Sequence, residues 1–170
     1  AREKLDCSYL GEISHERKYK TVFALLRRKK TSILITNPVT SFRFVESIRK
    51  LRRRVEQHMD GGKVLMVTSL LENEGKSTVT VNLALAMEQK GKRVLLIDCD
   101  LRKPACGMVL GQSKFTYGLN DILGGKENLS ECFLRYQNSD MYMLLAKRGE
   151  QNTGDLLISP RMNALLDWAR

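Results

Sequence analysis

An α/β fold with a doubly wound, mostly parallel sheet and helices on both faces is predicted by three features of one stretch, "KVLMVTSLLENEGKSTVTVNLALAMEQKGKRVLLIDCDLRKP" (residues 63–104). "VLMV" (64–67) is a short continuous apolar run, suited to a strand covered on both faces. From Lys76 onward, Val79, Leu83 and Ala86-Met87 fall on one helical face, and Gly91 stands where a helix end favours glycine. "RVLLI" (93–97) is a second buried strand. Strand, helix and strand at this spacing form a βαβ unit, which implies a parallel sheet.

Composition sets the outer bounds. The 170 residues suit one ordinary domain, long enough to bury a sizeable core. Hydrophobic residues at 42% and charged residues at 28% exclude a disordered or membrane-spanning chain. No apolar run reaches bilayer length and "AREKLDCSYLGEIS" has no apolar signal region, so the chain reads as cytoplasmic. Cys7, Cys99, Cys106 and Cys132 are scattered, which suits reduced buried thiols better than a metal or disulfide framework. His15 and His58 read as surface or capping residues.

The net charge is +10, from 29 basic and 19 acidic residues, with clusters at "LLRRKK" (25–30) and "RKLRRR" (49–54). Solvated helix faces, a polyphosphate ligand, an anionic membrane surface and DNA are all compatible with such runs.

Residues 1–38 read as an N-terminal arm: a short strand near "SYLGEIS" (8–14), a polar stretch, then apolar "SILIT" leading to Pro38. Residues 39–170 form the remaining domain. A helix is expected from Thr40, because Phe44, Ile48, Leu51, Val55 and Met59 recur at the 3.6-residue period, and Asp60-Gly61-Gly62 ends it. Beyond Pro104, "GLNDILGG" and "NLSECFLRY" suggest short helices, "MYMLL" (141–145) a strand, and "PRMNALLDWA" a helix start.

"EGKST", after a strand and opening a helix, is the core of a P-loop, which makes the expected fold that of a P-loop NTPase. Backbone N–H groups there wrap polyphosphate oxygens at the positive end of a helix. The expected nucleotide-binding residues are Glu72, Asn73, Glu74, Gly75, Lys76, Ser77 and Thr78. Gly75 allows close approach, Lys76 reaches the β- and γ-phosphates, and the Ser77 hydroxyl ligates Mg2+. The first glycine of the general pattern is replaced by Leu70; Asn73 partly compensates because asparagine tolerates left-handed backbone angles. Glu72 and Glu74 are expected to point outward.

Asp98 and Asp100 end the second strand on one face, with Cys99 opposite. Ligands of parallel α/β sheets sit at the carboxyl ends of the strands, so both carboxylates are expected to face the loop. One suits metal support through water; a second has room to accept a proton from an incoming hydroxyl.

These motifs resemble the cytoplasmic kinase domain of bacterial tyrosine kinases (BY-kinases) of capsule and exopolysaccharide export, across nearly the whole chain. "TSLLENEGKST" is similar to the family's first nucleotide motif, with Glu72-Asn73 where Pro-Gly is common, and "VLLIDCDLRKP" to its second. "GLNDILGG" and "NTGDLLISPRM" resemble downstream segments. "ESIRKLR" fits E-x-x-R-x-x-R through Glu46, Arg49 and Arg52, a motif implicated in ring-shaped assembly. By helical position Glu46 falls opposite the apolar stripe, with Arg49 and Arg52 flanking it and offered sideways to another subunit; an ordinary solvated pair is the alternative.

The resemblance implies transfer of the γ-phosphoryl group of ATP, with Mg2+, to tyrosine, first within a homo-oligomer. Lys76, Asp98 and Asp100 are then the catalytic residues: Asp98 accepts or orients the tyrosine proton and Asp100, with Ser77, supports the metal, roles that could be exchanged. Arg102 and Lys103 offset phosphate charge, or serve as plain surface residues. The implied partners are a membrane-embedded polysaccharide co-polymerase that activates the kinase, and tyrosine-containing proteins, at the inner face of the cell membrane. Residues 39–170 become the kinase domain, incomplete at its C-terminus because a further family aspartate and a tyrosine cluster have no counterpart here. A partition or division-site switch ATPase is the nearest rival, disfavoured by Leu71 where a second lysine is usual, and a non-catalytic regulatory nucleotide-binding domain is another. No aromatic-and-basic platform supports nucleic-acid binding.

Overall fold

The computed structural model describes residues 7–17, 32–112, 114–126, 129–148 and 153–170, and the basic cluster at 25–30 lies outside them. Helix α1 spans Phe42–Met59. The Ser41 Oγ caps it by accepting the Phe44 amide at 3.3 Å, an interaction worth about 1 kcal/mol. Asp60, at φ 41°, ends it in the left-handed conformation. Its inner face carries Phe44, Ile48 and Val55, as the 3.6-residue period predicts.

Helix α2 follows at Lys76–Glu88 and strand β1 at Val94–Ile97. Short helices α3 (Cys106–Leu110), α4 (Leu119–Leu123) and α5 (Leu129–Cys132) lead to β2 (Leu134–Arg135) and β3 (Met141–Leu144). Helices α6 (Thr153–Leu157) and α7 (Pro160–Ala169) complete the described chain. The sheet order is β1–β3–β2, with β1 and β3 parallel in the register Leu96↔Met143, and β2 antiparallel to β3.

Side-chain alternation along these strands builds two cores. Leu96, Met141, Met143 and Leu145 meet α1, α2 and α3 on one side. Leu144 and Ala146 meet α4, α5 and α7 on the other, together with Leu95 and Ile97. Helices therefore cover both faces of the sheet, the doubly wound arrangement expected. Each fully buried Leu or Met contributes roughly 1.5–3 kcal/mol.

Several elements differ from expectation. Residues 64–67 join no ladder, and Val64, Leu65 and Met66 are exposed along with Leu70 and Leu71. A continuous apolar run signals a buried strand only if another strand takes its backbone groups, and no described strand does. "SYLGEIS" is also not a strand; it is irregular, tied down by Ser14 N donating to Ser47 Oγ (3.2 Å) and Arg54 donating to the Leu10 carbonyl (2.7 Å). "NLSECFLRY" divides between α5 and β2. Helix α2 does not bury one face: Val81 to Ala86 are all buried, because the sheet, α1, α3 and the arm enclose it. Of the cysteines, Cys106 and Cys132 are buried, but Cys7 and Cys99 are exposed. No helix among the described residues is long and apolar enough to cross a membrane.

The arm is fixed to α2 by one polar side chain. Asn82, fully buried, accepts the Ile35 amide through Oδ1 (2.7 Å) and donates through Nδ2 to the Ile33 and Thr78 carbonyls (both 2.8 Å). Replacing it strands a buried donor and acceptors at about 1–3 kcal/mol. Asn82→Ala is accordingly expected to lower unfolding stability by about 2 kcal/mol in urea titrations. An unchanged midpoint would contradict this account of the arm.

Candidate nucleotide site

The loop before α2 is built on two positive φ angles, Asn73 at 63° and Gly75 at 90°. Asparagine and glycine are the residues that enter this region at least cost, so Asn73 does what its sequence position suggested. A Cβ on Gly75 would stand in open space; the glycine is required by φ, not by crowding. The Glu74 carboxylate folds back to accept the Leu71 amide at 3.0 Å, and Ser69 Oγ donates to the Leu71 carbonyl at 3.0 Å, so the loop's polar groups partly organise it. The first amides of α2 have no intrahelical acceptor, and Gly75, the residue before the helix, supplies no side-chain cap. This end of the helix is a cradle for anionic oxygens.

Opposite the cradle, the chain leaving β1 supplies both carboxylates. Asp98 is buried: its Oδ1 accepts the Asp100 amide (3.2 Å) and its Oδ2 the Ala105 and Cys106 amides (3.2 and 3.0 Å). It thus caps α3 from a distance, where the residue preceding that helix, Ala105, has no side chain able to do so. Asp100 is half-buried, and its Oδ2 lies 2.7 Å from Lys76 Nζ while its Oδ1 accepts the Lys103 amide at 3.0 Å. The hydrogen bond from Lys76 holds the Asp100 carboxyl below the usual carboxylate range, and the same bond raises the Lys76 ammonium. Lys103 Nζ reaches across to both Glu72 oxygens at 2.7 and 2.8 Å, an exposed bridge between the loop and the aspartate turn.

Lys76, Asp98, Asp100, Lys103 and Glu72 therefore come together around one loop, whereas the Arg102 side chain is exposed. Cys106 was not singled out by its sequence position. Its thiol lies against Asp98 and Ser77, and burial first, then the Asp98 charge, push it far above the ordinary thiol value. The signal available for it was the uncapped start of a helix just after Pro104.

Glu46, Arg49 and Arg52 lie elsewhere, beside the far end of α2. Glu46 and Arg49 pair at 2.9 Å. Arg52 departs from expectation: at 6% exposure it is buried on the inner side of α1 rather than offered sideways, because the stripe it flanks is overhung by the end of α2.

A glycine-lysine-serine loop opening a buried helix, with paired aspartates at the end of the next strand, defines a nucleotide-binding α/β domain of the P-loop class. Residues 65–156 match the CobQ/CobB/MinD/ParA nucleotide binding domain, and the chain belongs to that family. Within it, the resemblance to bacterial tyrosine kinases is borne out. The chain is 34% identical over 152 residues to tyrosine-protein kinase wzc of Salmonella typhi, covering 88% of this chain and 21% of that protein. It is 29% identical over 156 residues to tyrosine-protein kinase etk of Escherichia coli K12, again covering 88% of this chain and 21% of the relative. The kinase domain of Escherichia coli tyrosine kinase ETK superposes with a TM-score of 0.73 at 28% identity, over 82% of this chain and 54% of that one. The chain spans about one fifth of the length of these curated relatives.

The ion pair carries a pH signature. Asp100, lowered, contributes stability above its unfolded value of about 4 and loses it as pH falls through the folded value. Lys76, raised, contributes below about 10.4 and loses it as pH rises through its own folded value. The stability gap between the native chain and Asp100→Asn is expected to be flat from about pH 5 to 9 and to narrow toward pH 3. Urea midpoints across that series check it; a gap that widens on acidification contradicts the pairing.

Proposed function

We propose that this chain is the catalytic core of an ATP-dependent protein-tyrosine kinase that regulates capsule or exopolysaccharide synthesis and export. The observation that carries the reading is the 2.7 Å contact between Lys76 and Asp100 beside a cradle of unpaired amides, in a chain whose relatives bear tyrosine kinase names. The residues fit a magnesium-bound triphosphate: first-turn amides and Lys76 for phosphate oxygens, and the Ser77 hydroxyl with the Asp100 carboxylate for the cation. When bound, Mg2+ supplies charge neutralisation on the phosphates.

With nucleotide bound, Lys76 would hold phosphate oxygens in place of Asp100, and the Asp100 carboxylate, with the Ser77 hydroxyl, would be available to hold the cation. Asp98 keeps its position because three amides hold it. Three amides and the Cys106 thiol use the roughly four acceptor sites of the Asp98 carboxylate, so a tyrosine hydroxyl oriented by Asp98 takes the place of the weak thiol donor. Asp100, whose partner can leave, is the alternative proton acceptor. Lys103 and Arg102 stand ready to offset phosphate charge, Lys103 by releasing Glu72. Catalysis is then positioning plus charge neutralisation.

Phosphate transfer between copies requires assembly, and the Glu46–Arg49 pair on α1 is the surface we assign to it, in a ring or smaller oligomer. The basic charge of +10 suits a domain held at the inner membrane face against a membrane-embedded co-polymerase. A nucleotide-dependent switch is the second reading, favoured by the family to which residues 65–156 belong.

In the full-length protein with its activator, Lys76→Met is expected to abolish tyrosine phosphorylation in a radiolabelled-ATP assay, and Asp98→Asn to reduce it by about a hundredfold or more. Wild-type transfer in either variant would remove that residue from the mechanism. Magnesium-dependent ATP turnover without any phosphotyrosine would favour the switch.

Because Arg52 is buried, assembly is best tested with Glu46→Ala and Arg49→Ala alone. The double variant should give a smaller mass in light scattering, and an unchanged mass would sink the ring assignment.

A further inference from the structure

Between α1 and the C-terminal end of α2 lies a cavity of about 460 Å³, lined among others by Glu46, Arg49, Arg52, Arg53, Gln89 and Lys90. Positive groups outnumber the carboxylate, and Glu46 is already paired with Arg49. Arg52 is the telling residue. It is more than nine-tenths buried, its Nη1 reaches only to 3.9 Å from Glu56, and its buried Nε has no acceptor among the described residues. A buried, charged N–H left without an acceptor is costly, and native structures keep few of them. Arg53 and Lys90 form no ion pair among the described residues, so their charges also face the cleft uncompensated.

We infer that this cavity is a binding site for a phosphoryl oxyanion, either inorganic phosphate or the terminal group of a phosphate monoester. Guanidinium forks match such oxyanions with paired N–H donors, and the Lys90 ammonium and Gln89 amide complete a donor set around a tetrahedral group. A doubly charged anion answers the excess of positive charge better than a single carboxylate. The carbonyl end of α2 opposes an anion, and Lys90 offsets that end. The site is separate from the phosphate cradle: α2 has 13 residues, which at about 1.5 Å each puts roughly 20 Å between its ends. It does not depend on the kinase reading, although it shares Glu46 and Arg49 with the proposed assembly surface.

The test is a titration of the dilute chain, at fixed ionic strength, with inorganic phosphate and with phenyl phosphate, following backbone amide resonances. Saturable shifts at Gln89 and Lys90 are expected, and the exposed-site double variant Arg53→Gln/Lys90→Gln should weaken them about tenfold or more while leaving loop shifts at Gly75 unchanged. Tighter binding of phenyl phosphate assigns the site to monoesters, and equal binding to free phosphate. Arg52→Gln, if its spectrum shows a folded chain, should lose the shifts as well; the double variant decides the matter if it does not fold. No saturable shift at Gln89 and Lys90, or the same affinity in the double variant, overturns the inference. Light scattering without phosphate separates the two proposals. Assembly with no phosphate shifts removes this site alone, and shifts with no assembly remove the ring alone.

Discussion

The burial of α2 is the constraint on which the rest of the structure depends. From Val81 to Ala86 every residue is enclosed, and the fully buried Asn82 ties the preceding arm to the same helix through two hydrogen bonds, to Ile35 and Ile33. A helix held this firmly presents its amide end at a fixed place, which is what a phosphate cradle requires. Neither the loop nor the aspartates could be positioned by a helix free to roll on the sheet.

The site is built from bonds of two kinds. Asp98 is held by backbone amides, which cannot leave without unfolding α3 from its cap. Lys76, Asp100, Lys103 and Glu72 are paired through side chains, with one backbone tie from the Lys103 amide to Asp100, and the pairs can change partners at small cost because Lys103 and Glu72 are exposed and the Lys76–Asp100 pair is half-buried. The geometry thus divides the cluster into a fixed anchor and a set of exchangeable contacts. Phosphoryl transfer needs both, since charge must be repositioned as the ligand arrives while the acceptor's surroundings stay in place.

Much of this was legible because the signals are local. The left-handed angle at Asn73, the glycine at 75 and the stripe from Phe44 to Val55 are set by neighbours along the chain. What escaped is non-local. The apolar run 64–67 looks the same whether or not a strand lies beside it, and here none of the described strands does. The burial of Arg52 depends on where α2 ends, and the buried amide of Asn82 on where the arm passes; no spacing rule contains either. Cys106 enters the site only because Asp98 reaches past the intervening turn to the start of α3.

The uncovered segment around Val64, Leu65, Met66, Leu70 and Leu71 has a consequence for handling the protein. Greasy surface of this kind makes molecules sticky toward one another, and what keeps them dispersed is mutual repulsion from a charge of +10. Dissolved electrolyte shortens the range of that repulsion while leaving the oily contact untouched. Colloidal stability should therefore be best in dilute buffer and poorest in concentrated brine, the reverse of a protein whose clumping is driven by opposite charges.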